Sequence, residues 1–420
     1  MIRKAVIISS LIALFIPWTQ VLGQSDFLYD RQYPGTDYLD TPLTDRVSLL
    51  GQKIESGEVI LEHQAARGYL DSMLEALEID PSSQVLVFSK TALKSRFVNA
   101  ETPRAIYFND DTYVGFIQNT RGLEFATMDP QVGPVFFGFS QLPEDNQEFE
   151  RETGRCLRCH DSYSMTGGGV PRFLLSSVIA GPDGNIVTHE VSEITDTSTP
   201  LSRRWGGWYV TGLHGEQTTL GNFVVSDVSM LRSPDLAANG NKTSLEDLVD
   251  TGPYLADTSD IVALLVLEHQ VELQNALTRL MFETKTRLHE KGALTGVELD
   301  ELTLPVLESL FMVNEAALES PVEGSSGYTE YFQSLGPFDS QGNTLRKLDL
   351  QTRTFRYPFS YQIYSGAFDA LPEVVKSYLF DRIDKILQGQ DPFSEKVVMS
   401  AEERKTVRQI LQETHQGFSG

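Results

Sequence analysis

The two cysteines of this chain lie three residues apart, at Cys156 and Cys159, and His160 follows directly. Because there is no third cysteine, no disulfide can join distant segments, and the fold depends on its hydrophobic core. The C-x-x-C-H arrangement is the attachment signature of c-type haem. The two thiols match the two vinyl groups of the porphyrin, and the adjacent histidine is carried under the ring to bind iron. We therefore predict one covalent haem c on Cys156 and Cys159, with His160 as the proximal iron ligand.

Three other uses of the motif stay open. A thioredoxin-like thiol pair lies at the strand-to-helix junction of a βαβ unit, and no such pattern surrounds Cys156. A zinc site needs two further ligands, and a histidine directly after the second cysteine is awkward for tetrahedral binding. A local disulfide leaves His160 unexplained. The chain has a single such motif, which argues against di-haem peroxidases and multihaem electron carriers.

Residues 1–23 have the layout of a secretory signal peptide. Arg3 and Lys4 precede a largely apolar run of fourteen residues, Ala5–Trp18, and the small residues Val21 and Gly23 suit signal-peptidase cleavage. A spanning helix needs about 20 residues, so a membrane anchor is disfavoured. We predict a protein that is periplasmic or otherwise exported and that has no transmembrane segment after cleavage.

The net charge of the chain is −24. It becomes −26 without residues 1–23, because that segment holds two basic residues and no acidic ones. Such a charge disfavours binding to nucleic acid and to anionic membranes. It suits a redox partner protein with a basic surface, and simple solubility is the alternative explanation.

Hydrophobic patterning predicts an α+β fold, with a β-rich antiparallel central region around the haem and helices at both ends. The predicted segments are a helical N-terminal segment (24–80), a β-meander (81–145), the haem-binding region (146–228), a helical region with a long helix (229–318), and an irregular aromatic segment with C-terminal helices (319–420). Within them we expect a short helix over residues 144–155, a hairpin turning at Asp183 and Gly184, and one long helix from Asp260 to Gly292 capped by Thr258 or Ser259.

The sixth iron ligand decides the class of protein, since two protein ligands suit electron transfer, whereas an open side binds peroxide or a small ligand. His214 is the preferred candidate, because Gly212 and Gly215 flank it and permit close approach to a porphyrin. His269 is second, because it faces an apolar stripe of the long helix. The alternative is that the first is an ordinary loop histidine and the second a core histidine.

Other residues are weaker candidates for contacts with haem. Met165 and Met230 could bind iron, although methionine more often fills a core. Arginines suit the haem propionates, and tryptophans could line the ring; the alternatives are surface charge and core packing. These residues are Arg172, Arg203, Arg204, Trp205 and Trp208, while His63, His189, His289 and His415 are expected to have no role at the iron.

Several further stretches resemble a group of exported bacterial proteins with a c-type cytochrome domain. They are TPRAIYFNDDTYVGF, RWGGWYVTGLHG, VALLVLEHQ and AEERKTVRQILQET. The resemblance spans most of the chain after the signal and implies haem and electron-transfer chemistry, carried by Cys156, Cys159 and His160. The chain departs from small class I cytochromes c, which are much shorter and nearly all helical, so their fold is absent or heavily extended here.

We therefore predict a periplasmic c-type cytochrome with one covalent haem and a role in electron transfer. Two alternatives remain. One is a peroxidase-like haem oxidoreductase with an open distal site, and the other is a haem-based ligand sensor.

Overall fold

The computed structural model describes residues 35–92, 94–162, 169–232 and 234–418. The predicted signal peptide and Met165 lie outside these ranges. The helices are α1 (Arg46–Glu55), α2 (Leu70–Ala76), α3 (Leu157–His160), α4 (Ile261–Lys291), α5 (Gly296–Leu310), α6 (Tyr328–Ser334), α7 (Gly366–Asp369), α8 (Glu373–Leu387) and α9 (Ala401–Thr414). The strands are β1 (Val85–Val87), β2 (Arg104–Phe108), β3 (Thr112–Phe116), β4 (Gly122–Asp129), β5 (Gly133–Ser140), β6 (Phe149–Arg151), β7 (Ser176–Ala180), β8 (Ile186–Ile194) and β9 (Trp208–Tyr209).

Seven strands form one sheet in the order β6-β5-β4-β3-β2-β1-β9, with every neighbouring pair antiparallel. Strands β2 to β5 follow one another along the chain, so the predicted meander is confirmed. Strands β7 and β8 form a separate two-stranded hairpin, and Asp183 and Gly184 lie in its predicted turn. The fold is therefore α+β, with an antiparallel sheet at its centre and helices at both ends.

Helices cover both faces of the sheet. Strand side chains alternate between the two faces, so each face presents its own set of side chains to the helices. On one face the ring of Phe139 meets Tyr69, the residue before α2, with centroids 5.9 Å apart. On the other face the Tyr113 hydroxyl donates to Gln274 of α4 at 2.6 Å and accepts from Gln270 at 2.8 Å. The long helix α4 thus packs across the side of the sheet opposite to the N-terminal helices.

The predicted long helix is confirmed, although its cap differs from the prediction. Asp260 is the N-cap, and its carboxylate accepts the backbone N–H of Val262 at 2.7 Å and of Ala263 at 3.1 Å. The predicted cap Ser259 instead accepts from the backbone N–H of Leu86 and donates to the carbonyl of Tyr209, so it joins the helix to β1 and β9. No helix within the described ranges is long and apolar enough to cross a membrane.

The short helix predicted over residues 144–155 is wrong. Phe149–Arg151 form the edge strand β6, which pairs with β5. The ring of Phe149 lies 5.0 Å from that of Phe125 and 4.9 Å from that of Phe139. This aromatic packing outweighs the helical preference of the surrounding glutamate and glutamine residues.

Candidate functional site

A cavity of about 1070 Å³ lies against the face of the sheet that is turned toward α4. One row of directly paired residues crosses its floor: Ile106, Gly115, Glu124 and Gly138, contributed in order by β2 to β5. Two of these four have no side chain, and Ala126 in the adjoining row is small. The floor is therefore low at Gly115 and at Gly138, on either side of Glu124.

The two floor glycines keep this space open. A Cβ added at Gly115 would come no closer than 3.4 Å to Glu124, and one at Gly138 would lie 3.7 Å from Glu152. Both distances are ordinary van der Waals contacts, and neither glycine has a positive φ. A larger side chain at either position would thus project into the cavity. Glycine inside a strand often marks a close approach of another group, so the glycines in TYVGF and VFFGF are the sequence signal for this floor.

The walls of the cavity come from distant parts of the chain. Helix α3 brings Cys156, Cys159 and His160 to one wall. Leu267 and Val271, one turn apart on α4, form an apolar part of another wall. Trp208 also lines the cavity, whereas the buried Trp205 does not. The haem-attachment motif predicted from sequence is thus placed in a cavity of the size that cofactors occupy, about 300–1,000 Å³.

His160 is held in a fixed orientation by the backbone of Arg172. Its Nδ1 lies 2.7 Å from the Arg172 carbonyl oxygen, and its own carbonyl accepts the Arg172 N–H at 2.9 Å. Since Nδ1–H donates to that carbonyl, the lone pair is on Nε2, for which the described residues supply no hydrogen-bond partner. A metal-binding histidine is commonly held through its other ring nitrogen in this way.

The surroundings of His160 keep its ring neutral. Burial lowers the pKa of His160 to about 4, and the charge of Arg104 acts in the same direction. The ring also packs against Phe136, with centroids 4.4 Å apart. At neutral pH the imidazole is therefore in the form that can bind a metal ion.

Cys156 does not have the environment of a reactive thiol. Both cysteines are free thiols, Cys156 partly buried and Cys159 exposed. Burial raises the pKa of Cys156 to about 11, with Glu124 adding to the effect, whereas reactive cysteines have lowered pKa values. The motif follows an edge strand of an antiparallel sheet rather than opening a βαβ unit. Within the described ranges, no three histidine, cysteine or acidic side chains are grouped to hold a metal ion.

The structure does not bring His214 or His269 into the cavity wall. The Nδ1 of His214 lies 2.7 Å from the Gln217 carbonyl oxygen, and its Nε2 accepts the Asn241 N–H at 3.1 Å. The Nε2 of His269 lies 2.7 Å from the Ser360 hydroxyl. His269 is on the side of α4 opposite to Leu267 and Val271, because residues two apart on a helix point in nearly opposite directions.

The remaining candidates lie elsewhere. Met230 is in the short turn Val228–Arg232, where its sulfur accepts from Ser226. His189 and His289 are exposed, and His63 is largely exposed beside Gln141. His415 is buried, with its Nε2 3.2 Å from the Ile363 carbonyl oxygen. None of these residues lines the cavity.

Of the three arginines considered for propionates, none has its side chain in the cavity wall. Arg204 is buried and forms a salt bridge with Glu268 at 2.7 Å, with each side chain only 2% exposed. It also donates to the carbonyls of Thr197 and Thr199 at 2.6 Å. Arg203 is exposed and pairs with Glu193. Arg204 therefore has a structural role.

Neighbouring arginines provide a matched test of this role. We expect Arg204→Ala to lower the free energy of unfolding by about 3–5 kcal/mol, because it leaves the buried Glu268 carboxylate unpaired. Arg203→Ala should cost less than about 0.5 kcal/mol, because its ion pair is exposed to solvent. Urea unfolding of both variants measures the difference. Equal losses would contradict the assignment.

His269 makes the fold sensitive to acid. Burial lowers its pKa from 6.5 to about 3, so between these values the unfolded chain binds a proton that the folded chain does not. The contribution of His269 to the free energy of unfolding is complete above pH 6.5. It declines as the pH falls below that value, by about 1.4 kcal/mol per pH unit. We expect His269→Gln to reduce the loss of unfolding free energy between pH 7 and pH 5, measured in urea. His289→Gln, at the exposed end of the same helix, should keep the wild-type slope; an unchanged slope in His269→Gln would refute the prediction.

No protein-family model, curated protein or solved structure matches the chain. The assignment of the site therefore depends on its residues and their geometry.

Proposed function

We propose that this protein is an exported c-type cytochrome that carries one covalent haem on Cys156 and Cys159 and transfers electrons. The observation that supports this best is the position of the motif. The two cysteines of the chain and His160 line one wall of a cavity large enough for a cofactor, over a floor kept low by Gly115 and Gly138.

The donor set and the cavity fit a haem. His160 offers a neutral Nε2, and its bond to the Arg172 carbonyl fixes the ring and increases its basicity. The apolar side chains of Phe136, Leu267 and Val271 line part of the cavity, and an apolar lining influences the reduction potential of a bound group. When bound, haem supplies one-electron chemistry between ferric and ferrous iron.

Periplasmic location and a redox partner with a basic surface belong to the same proposal. They are supported by the signal-like residues 1–23 and by the net charge of −24.

A second candidate is a haem protein with an open iron site that binds peroxide or senses a small ligand. It is favoured by the hydrogen bonds that hold His214 and His269 away from the cavity wall. These bonds leave the preferred candidates for the sixth ligand engaged elsewhere.

Spectroscopy of the protein, exported with a haem-maturation system, tests the proposal. Haem that remains after acid–acetone extraction is expected, and its complete removal would refute covalent attachment. A low-spin spectrum unchanged by carbon monoxide supports electron transfer with two protein ligands. A high-spin spectrum that shifts with carbon monoxide supports the second candidate.

A further inference from the structure

Basic residues line one part of the cavity wall, although the chain as a whole has a net charge of −24. Acidic side chains, among them Glu124, Glu148 and Glu150, line other parts of it. A second hollow of about 1010 Å³ adjoins the cavity, and both are lined by Lys94, Arg121 and Arg155. We call these three residues the cationic rim. The hollow is otherwise lined by Ser95, Arg96, Phe97, Asn119 and Thr120, so none of its described lining residues is acidic.

Three separate segments bring the cationic rim together. Arg121 lies in the turn between β3 and β4, and Arg155 follows β6 directly before Cys156. Lys94 donates from Nζ to the carbonyl of Gly122 at 2.9 Å. A Cβ on Gly122 would lie only 2.8 Å from that Nζ, so the glycine permits this approach. Lys94 is thereby fixed next to Arg121.

The charges of the rim are incompletely neutralised. Arg155 pairs with Glu152, but Arg121 has no ion pair or side-chain hydrogen bond with the described residues. Burial lowers the pKa of Lys94; Glu124 opposes this effect and Arg155 adds to it. A partly buried ammonium group beside another cation is unfavourable, and an anion bound between them would relieve the repulsion.

We infer that the cationic rim binds carboxylates, and that these are the two propionates of the proposed haem. The inference rests on the proposed function. All three rim residues line the same cavity as His160. Guanidinium and ammonium groups form charge-assisted hydrogen bonds with carboxylates. The rim therefore takes the role that the sequence suggested for Arg172, Arg203 or Arg204.

Porphyrin binding to the full chain carrying Cys156→Ala and Cys159→Ala tests the inference, because this protein cannot form thioethers and should bind hemin reversibly. Soret absorbance titrations compare hemin with hemin dimethyl ester. We expect hemin to bind about 10-fold more tightly or better. Adding Arg121→Gln and Arg155→Gln should weaken the affinity for hemin about 10-fold. The affinity for the dimethyl ester should change less than about 2-fold. Arg203→Gln, an exposed arginine outside the cavity, is the control and should change neither.

The outcomes separate the two proposals. Equal affinity for hemin and its ester, or no selective loss in the rim variant, would overturn the rim assignment and leave haem binding intact. If neither porphyrin binds, the rim assignment fails, and acid–acetone extraction of the matured protein decides the proposed function separately. Calorimetry with succinate distinguishes a site for a free anion: equally strong succinate binding with and without hemin would overturn the propionate assignment. Circular dichroism and urea unfolding confirm that the rim variant is folded.

Discussion

We expect the double variant Cys156→Ala/Cys159→Ala to lose all covalently bound haem and to keep its fold. Neither cysteine forms a disulfide, and one of them is exposed, so the free energy of unfolding should change by no more than about 1 kcal/mol. The mass of the denatured protein and in-gel haem staining measure attachment, and urea unfolding measures stability.

The single variants sharpen this test. Cys156→Ala and Cys159→Ala should each retain at most one thioether, so less haem should survive denaturation. Ser162→Ala is the control. The Ser162 hydroxyl donates to the Cys159 carbonyl at an exposed position, and this variant should retain the wild-type amount of covalently attached haem. A double variant that still carries haem after denaturation would show that attachment uses other residues.

The second large effect is expected at the floor of the cavity. Gly138→Phe should reduce haem incorporation about 10-fold, because the new ring would occupy the space above the sheet. The folded protein itself should tolerate this change. Glycine inside a strand is unfavourable by about 0.5–1 kcal/mol, and aromatic residues favour strands, so the free energy of unfolding should stay level or rise. Haem content per protein and urea unfolding are the measurements.

Gly138→Ala is the matched control, because it adds one methyl group at the same position. It should retain haem incorporation within about twofold, since small changes of volume cost little where space is available. If the phenylalanine variant loads haem as well as the wild type does, the cavity described here is not the haem site.

The strands of the meander and the long helix were predictable because their signals are local. RAIYF, TYVGF and LEFATM each join β-branched and aromatic residues between turn signals, and they form β2, β3 and most of β4. The C-x-x-C-H spacing alone was likewise enough to predict the candidate site residues Cys156, Cys159 and His160. Their placement in one cavity wall was not, because it depends on packing against distant segments.

Tertiary contacts explain where the structure departs from expectations drawn from the sequence. Residues 144–155 are rich in helix-forming side chains, yet Phe149 packs among Phe125 and Phe139 and draws the segment into the sheet. His269 lies on α4 together with Leu267 and Val271. Sequence periodicity predicts that a helix has an apolar stripe, but it does not predict which part of the fold packs against that stripe. Only the assembled fold turns His269 toward Ser360 and the two apolar residues toward the cavity.

Helix α4 belongs to two packing layers at once. Leu267 and Val271 help to enclose the cavity, while His269 contacts Phe355 and Ser360 of the C-terminal part. The C-x-x-C-H motif and its surroundings therefore do not form a self-contained segment that could be moved to another protein. A fragment restricted to residues 146–228 would carry the cysteines and His160, but it would lack both the glycine floor and the helix that closes over it. Transplanting the site to another scaffold would require nearly the whole architecture, which distinguishes this chain from a small cytochrome that can be fused as a self-contained unit.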